Sequence, residues 1–75
     1  MDEKRIADYE RLNRNFTYHP PKEDQLDRYT ALREKGKQLA QFIMELTPAS
    51  REQSLALTQL EDSIMWANAS IARNE

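Results

Sequence analysis

Two long helix-forming segments are separated by one short break, Thr47-Pro48-Ala49-Ser50. A proline disfavours the α conformation in the residue before it, so the first helix is predicted to end at Thr47. Ser50 followed three residues later by Gln53 is a capping box, which favours the start of a second helix. Because the connection is short, the two helices are predicted to run antiparallel as a hairpin, and the fold class to be all-α.

The first long helix is predicted over residues 22–47, with Glu23 and Asp24 in its first turn, where negative charge favours the helix dipole. At about 100° per residue, its apolar side chains share one face. That face consists of Tyr29, Leu32, Gly36, Leu39, Ala40, Ile43 and Leu46. Gly36 costs roughly 1 kcal/mol there relative to alanine. We therefore expect another helix to approach closely at Gly36.

The second long helix is predicted over residues 50–73 and is apolar on two sides. The face towards the hairpin consists of Leu57, Leu60, Ile64, Ala67 and Ile71. Leu55 and Trp66 lie almost opposite, where a two-helix hairpin offers nothing to pack on. A helix that is apolar on two faces is usually buried on both. We infer that Leu55 and Trp66 contact another protomer, so the chain is expected to form a homo-oligomer.

The segment before the hairpin divides into two parts. Residues 1–15 form a predicted N-terminal helix or arm, with Ile6, Tyr9 and Leu12 as a weak apolar stripe; a frayed, charged tail is the alternative for the first few residues. Residues 16–21 (Phe16-Thr17-Tyr18-His19-Pro20-Pro21) are predicted to be extended, because the prolines lack backbone donors and restrict His19. This extended segment suits stacking on a flat ligand, or it is a linker whose aromatic residues cap the core.

Length and composition limit the possible functions. The 75 residues fit a single domain, residues 1–75. A net charge of −2 argues against binding of DNA or RNA polymers. With no cysteine and one histidine, neither a metal site, a cofactor nor a catalytic group is expected, so the chain is not predicted to be an enzyme. No apolar run is long enough for a membrane partner, and no signal peptide is expected.

Several side chains could bind a small anionic ligand. Tyr18 and His19 could stack on a purine, since base stacking on an aromatic contributes about 1–3 kcal/mol. Arg33, Lys35 and Arg73 could bind phosphate oxygens. Each also has an ordinary structural role open to it: Tyr18 in a core, Lys35 in solvent, and Arg73 as favourable charge at the end of a helix.

Three separated stretches resemble one known family, the small phage anti-CBASS proteins of the second described type. They are residues 16–21, residues 50–58 (Ser50-Arg51-Glu52-Gln53-Ser54-Leu55-Ala56-Leu57-Thr58) and residues 65–75, which begin Met65-Trp66-Ala67-Asn68. The resemblance covers about residues 16–75. CBASS is a bacterial defence in which infection triggers synthesis of a cyclic nucleotide messenger that activates a lethal effector.

The resemblance implies a non-enzymatic sponge in the cytoplasm of the infected bacterial host. Such proteins form a hexamer of helical hairpins and sequester cyclic oligonucleotides. It further implies that cyclic dinucleotides such as 3′,3′-cyclic GMP-AMP lie between paired protomers. Cyclic trinucleotides, such as cyclic triadenylate, would lie in separate sites near the three-fold axis.

Motif by motif, the resemblance also implies site residues. Tyr18 resembles the family's base-stacking tyrosine, and Lys35, with Arg33 as the second choice, its phosphate contact. The expected cyclic dinucleotide site therefore comprises Tyr18, Lys35, Arg33, His19 and Pro20. The expected cyclic trinucleotide site comprises Arg73, Asn68 and Lys37. Thr47 stands where the family has cysteine, a change expected to affect packing at the turn.

Two other hypotheses remain open from the sequence. The chain could be a helical protein–protein interaction module that inhibits a protein partner, anchored by Trp66, since tryptophan is a common interface hot spot. It could also be an enzyme that degrades the messenger, which the absence of a recognisable nucleophile or metal site disfavours.

Overall fold

The structure is a computed structural model and describes residues 2–75. Its three helices are α1 (Glu3–Phe16), α2 (Gln25–Leu46) and α3 (Arg51–Asn74), and these residues contain no strand. The prediction of an all-α fold is confirmed. α2 and α3 pack against each other as the predicted hairpin. None of the three helices is long and apolar enough to cross a bilayer. Met1, included in the predicted N-terminal arm, lies outside the described residues.

The segment between α1 and α2 differs from the prediction at both ends. Phe16 is the last residue of α1, although it was expected to begin the extended segment. α2 begins at Gln25 and not at residue 22, because Glu23 has a φ of 48°, in the left-handed region. Glu23 and Asp24 therefore precede the helix, and Asp27 is the acidic residue of its first turn.

Side chains cap the starts of α1 and α3. Asp2 Oδ1 accepts a hydrogen bond from the Arg5 amide at 2.8 Å. Ser50 Oγ accepts one from the Gln53 amide at 3.1 Å, which is the predicted N-cap. The Gln53 side chain differs from a standard capping box. Its Nε2 donates to Thr47 O at 3.1 Å and to Thr47 Oγ1 at 3.0 Å, which ties the start of α3 to the end of α2.

Gly36 lies in close contact with α3. A Cβ placed on Gly36 would lie 2.8 Å from Ile64 Cγ1 and 3.1 Å from Ile64 Cδ1. The predicted close approach of a second helix at Gly36 is thus confirmed, and the second helix is α3.

A single chain is an extended plate only one helix layer thick. Its dimensions are 54 × 30 × 14 Å and its radius of gyration is 16.8 Å, whereas a compact chain of this length has a radius of gyration of about 11 Å. No apolar side chain within residues 2–75 is fully buried. The accessible surface is 6418 Å², compared with about 4800 Å² for a compact monomer of this mass. The chain alone therefore has no interior core.

Candidate functional site

The extended segment after α1 is held at both ends by hydrogen bonds. Thr17 Oγ1 donates to Asn13 O at 2.5 Å, and His19 Nε2 donates to Arg14 O at 2.9 Å. A carbonyl oxygen only accepts, so Nε2–H is the donor in this bond. The Lys22 amide donates to Gln25 Oε1 at 3.0 Å. Between these anchors the Tyr18 side chain is 81% exposed, so a fixed backbone presents its ring to solvent.

A polar cavity of about 200 Å³ lies between this segment, the start of α2 and the end of α3. Its lining residues are Arg14, His19, Lys22, Gln25, Tyr29, Ala72, Arg73, Asn74 and Glu75. Three of them are cationic side chains, and Glu75 is the one carboxylate. The cavity combines positive charge with the hydrogen-bonding groups of His19 and Gln25.

Glu75 is bound chiefly to the start of α2. Arg28 donates to both of its carboxylate oxygens, from Nη1 to Oε2 at 2.8 Å and from Nη2 to Oε1. Gln25 Nε2 donates to Oε1 at 3.3 Å, and Lys22 Nζ donates to the Glu75 backbone carbonyl at 3.0 Å. The bonds from Arg28, followed by that from Gln25, lower the pKa of Glu75 to about 2. The same pairing raises the pKa of Arg28. Together these contacts form a clasp that closes the open end of the hairpin.

Arg73 is positioned by two neighbours. Its guanidinium carbon lies 5.7 Å from the centre of the Trp66 ring, within the range of a cation–π contact. Arg14 Nη1 reaches the Arg73 carbonyl oxygen at 3.5 Å, which places the end of α1 beside the end of α3. The Trp66 contact therefore supports the Arg73 side chain at the cavity.

In a single chain, the predicted site residues do not separate into the cyclic dinucleotide set and the cyclic trinucleotide set expected from the sequence. His19 and Arg73, expected to bind different ligands, line the same polar cavity. Arg33 and Lys37, also assigned to different ligands, border one apolar groove. We call this groove the Gly36 groove; it is lined by Arg33, Gly36, Lys37, Ala40, Met44, Leu57, Leu60, Glu61 and Ile64. Lys35 lies on the other side of the hairpin, beside Leu32 and Ile71.

Two further predicted residues show no contact with a common site in one chain. Tyr18 points to solvent, and Asn68 has a buried Oδ1 without a hydrogen-bond partner in residues 2–75. Neither they nor Pro20 line the polar cavity. The two ligand sets remain predictions, and one protomer alone does not assemble either of them.

The sequence reasoning missed four residues of this region: Arg14, Lys22, Gln25 and Glu75. Their charges and amide groups are ordinary surface features in the sequence. The available signal was the hairpin itself, which brings the start of α2 beside the end of α3 and therefore places basic residues of one opposite the acidic residue of the other.

The cavity is suited to binding an anion. Among the described residues, Arg14 and Arg73 form no salt bridge, and the Glu75 carboxylate is paired with Arg28. Lys22 Nζ is bound to the main-chain oxygen of Glu75. Guanidinium groups bind phosphate oxygens in bidentate fashion, and the lysine contributes a point charge. Residues 2–75 contain no cluster of metal-ligating side chains.

Comparison with known proteins identifies the family. The family model described as the Acb2/Tad1 hairpin domain matches residues 8–72, which include most of α1 and nearly all of the hairpin. No curated protein and no solved structure matches the chain significantly. Membership indicates a sponge-type anti-CBASS function, with cyclic nucleotides as the class of partner. The chain therefore belongs to the Acb2/Tad1 hairpin-domain family of anti-CBASS sponges.

Proposed function

We propose that the chain binds cyclic di- and trinucleotide messengers and sequesters them without cleaving them. Suitable ligands are 3′,3′-cyclic GMP-AMP and cyclic triadenylate. Sequestration in the cytoplasm of the infected bacterium keeps the messenger from its effector and so blocks the CBASS defence. The observation that carries this proposal is the polar cavity, which is lined by three cationic side chains close to the segment that presents Tyr18; two of them, Arg14 and Arg73, form no salt bridge in residues 2–75.

Charge supports a phosphate ligand in this cavity. The clasp to Arg28 occupies the Glu75 carboxylate, so it does not neutralise Arg14 or Arg73. Lys22 Nζ donates to the main-chain oxygen of Glu75, and its charge also helps to lower the pKa of the Glu75 carboxylate, so the two arginines are the cations left for a ligand. Hydrogen bonds between charged groups and phosphate are roughly twice as strong as neutral ones. A cyclic oligonucleotide provides two or three phosphates, each bonded to sugars with bases attached.

The size of the cavity supports a shared site. Its volume of about 200 Å³ is below the roughly 300–1000 Å³ of pockets that enclose small ligands. The cavity has room for a phosphate group but not for a whole cyclic dinucleotide. The rest of the ligand needs Tyr18 and a surface from a second copy. We therefore propose that the functional form is a homo-oligomer, with the hexamer of the family as its expected state.

Calorimetric titration with 3′,3′-cyclic GMP-AMP and with cyclic triadenylate tests the function. Each ligand is added alone and then after saturation with the other, and the ligand is recovered and chromatographed. We expect tight binding and intact ligand, with the second ligand binding undiminished if the sites are separate. Hydrolysed ligand would contradict sequestration. The absence of heat with both ligands would overturn the nucleotide proposal.

Two variants test the binding chemistry. Tyr18→Ala is expected to weaken cyclic dinucleotide binding about 5- to 150-fold, which corresponds to the loss of about 1–3 kcal/mol of stacking. Tyr18→Phe is its control and should bind normally, because it keeps the aromatic face. Arg73→Gln is expected to weaken cyclic triadenylate binding about 10- to 150-fold through loss of a charge-assisted bond. Its control is Arg51→Gln at the opposite end of α3.

One observation favours the second candidate, a protein–protein interaction module. Trp66 is 58% exposed in the single chain although tryptophan is often an interface anchor. This candidate predicts a stable complex with a host protein that Trp66→Ala abolishes and Tyr18→Ala leaves intact.

A further inference from the structure

We propose that α1 is an exchange arm, whose apolar stripe packs into the Gly36 groove of a second copy of the chain. We call Ile6, Tyr9, Leu12 and Phe16 the α1 stripe. At 100° per residue they share about one third of the circumference of the helix. All four are exposed, from 44% for Ile6 to 86% for Phe16. Its own chain therefore leaves about half of Ile6, Tyr9 and Leu12 and most of Phe16 exposed, and the Arg5 guanidinium lies over the Tyr9 ring at 5.9 Å from the ring centre.

The Gly36 groove has the shape and chemistry to receive this stripe. It runs between α2 and α3, with a volume of about 510 Å³. Gly36 and Ala40 keep its floor low, and Met44, Leu57 and Leu60 make its walls apolar. A helix placed in an apolar groove is bound through anchors at i, i+3 and i+7 spacing. Ile6, Tyr9 and Leu12 follow the i, i+3 part of that pattern, and Phe16 lies seven residues after Tyr9.

Charges at the edges of the two surfaces are complementary. Glu3 and Glu10 border one side of the α1 stripe, and Arg33 and Lys37 border the α2 side of the groove. On the other side of the stripe, Asp8 is paired with Arg11 at 3.4 Å, so this edge is close to neutral. That neutral edge suits the α3 side of the groove, where Glu61 would repel a free carboxylate. Charge thus favours one orientation of the arm.

The shape of the chain favours a second copy as the occupant. α3 is about 36 Å long at 1.5 Å per residue, whereas the chain extends over 54 Å, so α1 projects beyond the hairpin. The accessible surface exceeds that of a compact monomer by about 1600 Å², and a standard interface needs only about 800 Å² from each partner. Exchange of two arms would cover both stripes and both grooves at once, as in domain swapping.

The absence of cysteine allows a direct test by cross-linking, carried out without ligand. Two differently tagged copies are co-expressed, one with Asn13→Cys, a site among the stripe residues, and one with Ala40→Cys on the floor of the groove. A short bis-maleimide is expected to join the two copies. Ala7→Cys, on the side of α1 away from the stripe, replaces Asn13→Cys as the control, leaves every charge of α1 in place and should give a several-fold lower yield. Equal yields from the two pairs, or no product from the first, would overturn the proposal.

A dilution experiment separates exchange from packing within one chain. A copy that carries both cysteines is co-expressed with an excess of cysteine-free chain. Exchange predicts loss of the cross-link, because the α1 of most double-cysteine chains then packs into the groove of a chain that has no cysteine. A cross-link that persists within one chain would refute exchange. Sedimentation velocity gives an independent measurement: Ile6→Glu with Leu12→Glu should reduce assembly, whereas Ala7→Glu, on the exposed side of α1 opposite the stripe, should not.

This proposal stands apart from nucleotide binding. If the two copies are cross-linked without ligand but bind no cyclic nucleotide, the exchange of α1 is supported and the sponge function is not. If ligand binds but no cross-link forms, only the proposed exchange of α1 is refuted.

Discussion

Replacing Gly36 by alanine has two opposing effects on stability, because Gly36 is in close contact with α3. Helix propensity favours the substitution, because alanine is better than glycine in a helix by about 1 kcal/mol. Packing opposes it, because the new Cβ would lie 2.8 Å from Ile64 Cγ1. That distance is well inside normal contact, and the atom belongs to a β-branched side chain with one strongly preferred χ1 rotamer in a helix. Ile64 cannot simply rotate away, so α2 and α3 must move apart.

The packing effect is expected to win. Overpacking of this kind typically costs about 1–3 kcal/mol, so the net loss of stability is about 1 kcal/mol after the gain in propensity. For a chain of this size, that lowers the melting temperature by about 4–8 °C. Propensity alone would instead raise it by a similar amount, so the sign of the change decides between the two effects.

Thermal melting followed by far-UV circular dichroism is the assay, at one fixed protein concentration because assembly shifts the midpoint. Thr30→Ala, on the exposed side of α2, is the matched control and should leave the midpoint unchanged or raise it. In a chain that already carries Ile64→Ala, the clash is gone and Gly36→Ala should be stabilising. A higher melting temperature for Gly36→Ala in the natural chain would refute the close-packing argument.

Three further outcomes are expected. Glu75→Gln should lower the melting temperature at neutral pH, because Glu75 has a pKa lowered from 4.5 to about 2. Its carboxylate stabilises the fold above about pH 4.5, so the difference from the natural chain should shrink as the pH falls from 4.5 towards 2; Glu45→Gln, outside the clasp, should show no such trend. Ser50→Ala should cost about 1 kcal/mol by removing the N-cap of α3, whereas Ser54→Ala inside the helix should cost less in the same melts. A cyclic dinucleotide at 100 times its Kd should stabilise the assembly by about 2.7 kcal/mol, and an unchanged melting temperature would argue against a shared pocket.

The hairpin was predictable from the sequence because its signals are local. Pro48 ends one helix, Ser50 caps the next, and the periodic apolar residues between them set the facing sides. Gly36 indicated a close approach of the two helices, since a glycine on an apolar helix face usually has a packing reason. The boundaries near α1 were less predictable. Phe16 is the last residue of α1, and the positive φ of Glu23 moves the start of α2 to Gln25. Neither boundary is marked by a residue type that the sequence makes recognisable.

The candidate site was only partly predictable, because its residues are distant in the chain. Arg28 and Glu75 are 47 residues apart, and their pairing depends on the register of the hairpin and on the lengths of both helices. Local motifs indicated His19 and Arg73 but not that they share a cavity. Arg33 and Lys35 are two residues apart, which places them on different sides of a helix, and the structure accordingly separates them.

The thin plate described for a single chain has a thermodynamic consequence. The heat capacity change of unfolding follows the apolar surface that unfolding exposes, and averages about 1 kcal/mol/K for a compact domain of this length. A chain with no buried apolar side chain in residues 2–75 should fall well below that value and should lose its helices gradually over a wide range of temperature. Unfolding should become sharp and cooperative only when several chains assemble and cover one another's apolar faces. The sharpness of the melting transition would therefore indicate whether the chains are assembled.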